Sequence, residues 1–197
     1  MLICSDMDGV WSDYCFGLSA IAHKFEYMDH VLSTRDVDDW NWLDVCMTRN
    51  QLGKIMSLIN LSNDFWADLP PISANLGKSI MEAMLHKGDR LKIITARPGR
   101  QLSVKLQTIA WFKHYIGIDL NTTDIVICEA DNKLDYVHEY KADYFIDDRP
   151  KTIVDMNNFK GNTKMFAVRH HYNSYLEKEC PNVTFVNNVS DFLCGIA

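Results

Sequence analysis

Residues 2–10, Leu2-Ile3-Cys4-Ser5-Asp6-Met7-Asp8-Gly9-Val10, decide how the rest of the chain is read. Leu2–Ser5 is a run too short for a helix and has no polar face. It reads as a strand buried on both sides. Asp6 and Asp8 follow where such a strand must turn, and Gly9 gives that turn its backbone freedom. In open α/β sheets, ligands bind beyond the carboxyl ends of the strands. Two carboxylates one residue apart therefore stand where chemistry is done.

Further out, the same kind of short apolar run recurs. Leu91–Ala96, Asp124–Cys128, Tyr144–Ile146, Met165–Val168 and Val183–Val186 read as further buried strands. Between them lie helical patterns. Leu76, Ile80 and Met84 mark one face, closed by Gly88; Leu102, Leu106, Ile109 and Phe112 mark another, closed by Gly117. Strand and helix alternating in this way predict an α/β fold, a doubly wound, Rossmann-like parallel sheet with right-handed crossovers. One segment breaks the alternation. Between about Tyr14 and Leu69 there is no strand ladder; Ile21, Phe25, Met28 and Leu32 fit one helical stripe, and Leu52, Ile55, Met56 and Ile59 another. Residues 14–69 are read as a helical insert after the first strand, with Pro70-Pro71 as its return. The catalytic core then comprises 1–13 and 70–197.

Bulk properties narrow the function. The chain has 197 residues, 47% of them hydrophobic, which suits one globular core with a small insert. A net charge of −6 argues against a long nucleic acid as partner, whose binding rests on neutralising phosphates. The six cysteines form no CxxC pair, so a structural zinc site is not expected. No run is long enough to span a membrane, and the strand starting at Leu2 leaves no room for a signal peptide, so the expected location is cytoplasmic.

The strand ends carry the chemistry. Thr95-Ala96-Arg97 ends the second strand and offers a hydroxyl, backbone N–H groups and a helix start to a phosphate. Asp147-Asp148 ends another. With these strands as neighbours, Asp6, Asp8, Asp147 and Asp148 converge and need a cation. Hard oxygen ligands of this type favour Mg²⁺. Lys133 supplies a second positive charge, with Lys141 as its rival. A carboxylate nucleophile splits ester hydrolysis into two steps.

DMDGV, TAR, a lysine and an Asp pair, in this order, resemble the four motifs of haloacid dehalogenase-type phosphatases, and the insert resembles their small helical cap. Asp6–Asp13 (DMDGVWSD), Phe65–Ile72 (FWADLPPI) and Phe145–Pro150 (FIDDRP) resemble the 5′(3′)-deoxyribonucleotidase family more closely. The resemblance covers essentially the whole chain. It implies Asp6 as nucleophile and metal ligand, and Asp8 as general acid and base with its carbonyl on the metal. It implies Thr95 and Lys133 on the phosphate, Asp147 on Mg²⁺ and Asp148 orienting the metal shell. Its implied substrate is a nucleoside monophosphate, and its implied assembly a homodimer. The chain departs from the family by carrying Ala96 where Ser is usual, and Thr108 where a second lysine is usual. Arg97 or Lys105 is expected to substitute on the phosphate.

Phe65 and Trp66 are the aromatics expected to stack on a base, with Trp40 and Trp42 forming the insert's own core. His170-His171-Tyr172 reads as a surface loop, since no partner lies at metal-ligand spacing. Two other functions fit the same residues. One is a 3′-phosphatase of nucleic-acid ends, which the acidic charge disfavours. The other is a binding protein on a phosphatase scaffold, whose mark would be loss of Asp6, Asp8 or Asp147; all three are present.

Overall fold

The structure is a computed structural model that describes residues 1–197. Six strands, β1 (Leu2–Ser5), β2 (Arg90–Thr95), β3 (Ile125–Ile127), β4 (Tyr144–Asp147), β5 (Lys164–Val168) and β6 (Val183–Val186), form one sheet in the order β3-β2-β1-β4-β5-β6. Every pairing is parallel. The strands' apolar character follows from burial on both faces. Along β1 the side chains alternate: Ile3 enters one core, Leu2 and Cys4 the other.

Nine helices accompany the sheet. Those after the insert are α4 (Lys78–His86), α5 (Gln101–Tyr115), α6 (Lys133–Glu139), α7 (Pro150–Asn157), α8 (Leu176–Glu179) and α9 (Val189–Ile196). The first core takes Met81 and Met84 of α4, Trp111 and Phe112 of α5 and Phe192 of α9. The second takes Val137 of α6, Ile153 and Met156 of α7 and Leu176 of α8. Helices thus cover both faces, as a doubly wound sheet requires.

Between β1 and α4 lie α1 (Tyr14–Lys24), α2 (Trp42–Cys46) and α3 (Arg49–Leu61), with no strand among them. Val37, Trp42, Met47, Ile55 and Ile59 of this stretch join the first core. The outgoing and returning chains pair with each other: Asp13 N–H donates to Pro70 O (2.8 Å) and Ile72 N–H to Trp11 O (2.9 Å).

Two details differ from the sequence expectation. The stripe Ile21–Leu32 is not one helix, because α1 stops at Lys24. Glu26 takes a left-handed φ of 56°. The N–H groups of Glu26 and Tyr27 return to His23 O and Ala22 O, which is a Schellman stop with glutamate where glycine is usual. On α5, Leu102 and Leu106 are exposed, and the buried face carries Val104, Gln107, Thr108, Trp111 and Phe112. Gln107 and Thr108 are buried because each has a polar partner: Trp66 N–H donates to Gln107 Oε1 (2.9 Å), and Arg97 Nη1 donates to Thr108 Oγ1 (3.0 Å).

Candidate active site

The strand order reverses between β1 and β4, the place where ligands bind in such sheets. Ser5 pairs with Ile146, so Asp6 comes level with Asp147 one residue further on. Asp6 N–H donates to Ile146 O (2.9 Å), which ties the two strand ends together. The carboxylates of Asp6, Asp147 and Asp148 lie within 4.8 Å of one another, and all three residues are buried.

Lys133, the first residue of α6, reaches into this cluster. Its Nζ is 2.6 Å from Asp6 Oδ2 and 2.8 Å from Asp147 Oδ2. Lys141 is exposed just past the end of the same helix, beside Phe159 and Thr163. Burial alone would lower the Lys133 ammonium; the Asp147 and Asp6 carboxylates outweigh it and hold it charged well above its ordinary range. Burial pushes Asp6 up to about 7, helped by Asp147 and Asp8 and opposed by Lys133. Burial, with Asp147 and Asp6, also raises Asp148 far above the carboxylate range. One ammonium is therefore not enough for three buried acids. A donor set made only of carboxylate oxygens, short of positive charge, fits a hard divalent cation such as Mg²⁺.

The loop after β1 is shaped by Gly9. Its φ is 80°, and a Cβ built there would stand 2.1 Å from Asp148 Oδ2. Only glycine lets the loops after β1 and β4 touch. The Asp148 carboxylate accepts a short hydrogen bond from Tyr172 Oη, and its carbonyl accepts one from Asn173 Nδ2 (2.7 Å). His170 Nε2 lies 2.7 Å from Gly9 O. A carbonyl only accepts, so the imidazole donates and carries its proton on Nε2. Burial lowers His170 to about 4, which leaves it neutral near pH 7. The expectation of a surface loop at residues 170–172 is thus corrected for His170 and Tyr172, which are buried; His171 is exposed and pairs with Asp38 at 2.9 Å. Their partners are Gly9 and Asp148, far away in sequence, so no local spacing announced them.

A cleft of about 200 Å³ opens over the carboxylates, lined by Asp6, Asp8, Thr95, Ala96, Lys133 and Trp40 among others. Two expected contacts change here. Trp66 lines this cleft but is only 2% exposed, stacked on Tyr14 and crossed by the Arg97 guanidinium 4.7 Å from its ring centre. Phe65 packs edge-on against Trp66 and lines a different groove, with Phe16 and Leu69. Neither offers a free ring face over the carboxylates. Trp40 is the exposed aromatic of this cleft: it is 43% exposed, rests edge-on against Tyr172 and borders both the cleft and an adjoining apolar cavity of about 170 Å³. Arg97, expected on the phosphate, is bonded to Asp8 instead, through Nε to Oδ2 (2.9 Å) and Nη2 to Oδ1 (2.7 Å).

An ammonium shared by two strand-end acids, beside a third that a tyrosine holds in place, suits the capture of a phosphoryl group under attack by a carboxylate. Together with the strand order, it defines the class as phosphomonoester hydrolases of the haloacid dehalogenase type. The family model described as "5' nucleotidase, deoxy (Pyrimidine), cytosolic type C protein" matches residues 1–190, and the chain belongs to that family. It is accordingly a nucleotidase-type phosphatase. No curated protein matches the chain, and no helix is long and apolar enough to cross a membrane.

Proposed function

We propose that the chain is a Mg²⁺-dependent 5′(3′)-deoxyribonucleotidase that releases phosphate from (deoxy)nucleoside monophosphates through an aspartyl-phosphate on Asp6. The observation that carries this is the clustering of Asp6, Asp147 and Asp148 at the switch point of the sheet, with Lys133 bridging Asp6 and Asp147. Mg²⁺ held by Asp6, Asp147, Asp148 and the Asp8 carbonyl would neutralise the acids and polarise the phosphoryl oxygens.

In the first step an Asp6 oxygen bonds to phosphorus, and the bond from phosphorus to the nucleoside oxygen breaks. Asp8 gives its proton to the leaving alkoxide. Lys133, Thr95 and the backbone N–H of Ala96 hold the phosphoryl oxygens. In the second step Asp8, now a carboxylate, takes a proton from water as the water oxygen bonds to phosphorus. The acyl-phosphate bond breaks, and inorganic phosphate and the Asp6 carboxylate are restored. Residues 14–69 act as a cap, and Trp40 offers a face for the base. The cleft's size and its roof favour a small ester over a nucleic-acid end. A cytoplasmic location and a homodimer complete the proposal.

The test is phosphate release from deoxy- and ribonucleoside 5′- and 3′-monophosphates and from a 3′-phosphorylated oligonucleotide, each with Mg²⁺ and with chelator. Metal-dependent release from the monophosphates is expected, abolished in Asp6→Asn with its circular dichroism unchanged. Release from the oligonucleotide alone would replace the substrate assignment.

A further inference from the structure

Arg97 is the most fully engaged cation in the protein outside the carboxylate cluster. Its side chain is wholly buried. Nε and Nη2 take both oxygens of Asp8, Nη2 also donates to Ser12 Oγ (3.0 Å), and Nη1 donates to Thr108 Oγ1 (3.0 Å). Ser12 Oγ in turn donates to Asp8 Oδ1 (2.7 Å), and Thr108 Oγ1 to Val104 O (2.8 Å). The guanidinium plane lies against the Trp66 ring, whose backbone N–H is fixed by Gln107. The fork is therefore fixed by its neighbours, and the edge formed by Nε and Nη2 is filled by one carboxyl group. Asp8 keeps 20% of its side chain exposed, on the cleft side.

Four of the five N–H groups are engaged by protein acceptors and the side chain is wholly buried, so the guanidinium is committed to Asp8 and not to a phosphoryl oxygen. We propose that Arg97 is a positioning residue, which fixes the Asp8 carboxyl group in the orientation from which it protonates the leaving alkoxide. The proposal rests on the role given to Asp8 above. It also accounts for Thr108, the position where the family's second lysine is usual: here it supports Arg97 and does not touch substrate. A lysine at 97 supplies the charge but not the planar fork, and cannot bond Asp8 bidentately while reaching Thr108.

The two roles separate by leaving group. A nucleoside alkoxide must be protonated as it departs; a nitrophenolate leaves without a proton. Wild type, Arg97→Lys and Thr108→Val are compared in the first turnover, with saturating Mg²⁺, on a deoxynucleoside 5′-monophosphate and on nitrophenyl phosphate. Arg97→Lys is expected to slow nucleoside release by about 100-fold, as for loss of a general acid, and nitrophenolate release by less than about 5-fold. Thr108→Val should show the same selectivity at about 10-fold, and serves if the lysine variant folds poorly. In the Asp8→Asn background Arg97→Lys should add almost nothing on the nucleotide, because both changes remove one function. Equal losses on both substrates, or a full additional loss in the Asp8→Asn background, would overturn the proposal and return Arg97 to phosphate binding or to structure. If wild type ignores nucleotides but cleaves another alkyl phosphate, the substrate assignment fails, and the comparison is made on that ester.

Discussion

Buried and neutral, His170 makes the stability of the protein depend on pH in a way that can be worked out beforehand. Its imidazole titrates near 6.5 when the chain is unfolded and near 4 when folded, with burial as the main cause. The unfolded state therefore binds the proton more readily, and acid favours unfolding. The sign is that of a depressed pKa: the contribution is intact above 6.5 and is lost as pH falls towards 4. Between pH 8 and pH 5 this one group removes about 2 kcal/mol, and about 3 kcal/mol once the pH is below 4. For a chain of this size the loss at pH 5 corresponds to a fall of about 4–8 °C in Tm. His170→Gln keeps an N–H able to reach Gly9 O but does not titrate. Urea unfolding of both proteins in chelator, followed by circular dichroism at pH 8, 6.5 and 5, isolates the term, since every other acid is common to both. The variant should lose about 2 kcal/mol less than wild type across that range. Parallel profiles would mean that the imidazole is not held neutral against Gly9, and the assignment would fall.

Three further outcomes are expected. Tyr172→Phe frees the Asp148 carboxylate and should weaken Mg²⁺ about 10- to 100-fold, read by calorimetry as well as by activity; unchanged metal affinity would detach Tyr172 from the site. Trp40→Ala should raise KM for nucleotides while sparing nitrophenyl phosphate, whereas Trp66→Ala should cost about 3–5 kcal/mol of stability and affect both substrates; the reverse pattern would restore Trp66 as the base platform. Gly9→Ala should lower the rate at least about 100-fold, since the methyl group must push the Asp148 carboxylate aside; a near-normal rate would mean that this loop yields easily.

The parallel sheet was legible because each strand is an apolar run closed by chemically distinctive residues. The register places Asp6 and Asp147 side by side, and Lys133 meets both. What escaped the sequence was pairing at long range between polar groups. Leu102 and Leu106 pointed to the wrong face of α5, because its inner face is bought with Gln107 and Thr108, whose partners lie on other segments. Glu26 stops α1 with a left-handed backbone that composition does not favour. Arg97 was visible as a cation near the phosphate, but that its fork faces Asp8 depends on Trp66 against its face and Thr108 on Nη1, which lie on other segments. His170 and Tyr172 carried no local signal, since their partners lie 161 and 24 residues away.

The central place of β1 has a consequence for how the molecule is made. This strand is made before both of its partners, Arg90–Ile93 on one side and Tyr144–Ile146 on the other. Until residues 90–93 are made β1 has no neighbour, and only when β4 has been made can both of its edges be closed. Such distant pairings raise contact order and slow folding. The nascent chain thus carries β1 with at least one edge open until residues 144–146 are made, an edge of the kind that chaperones shield and that aggregation exploits. Asp6 and Asp147 come together late, because the strand that pairs the second edge of β1 also brings Asp147.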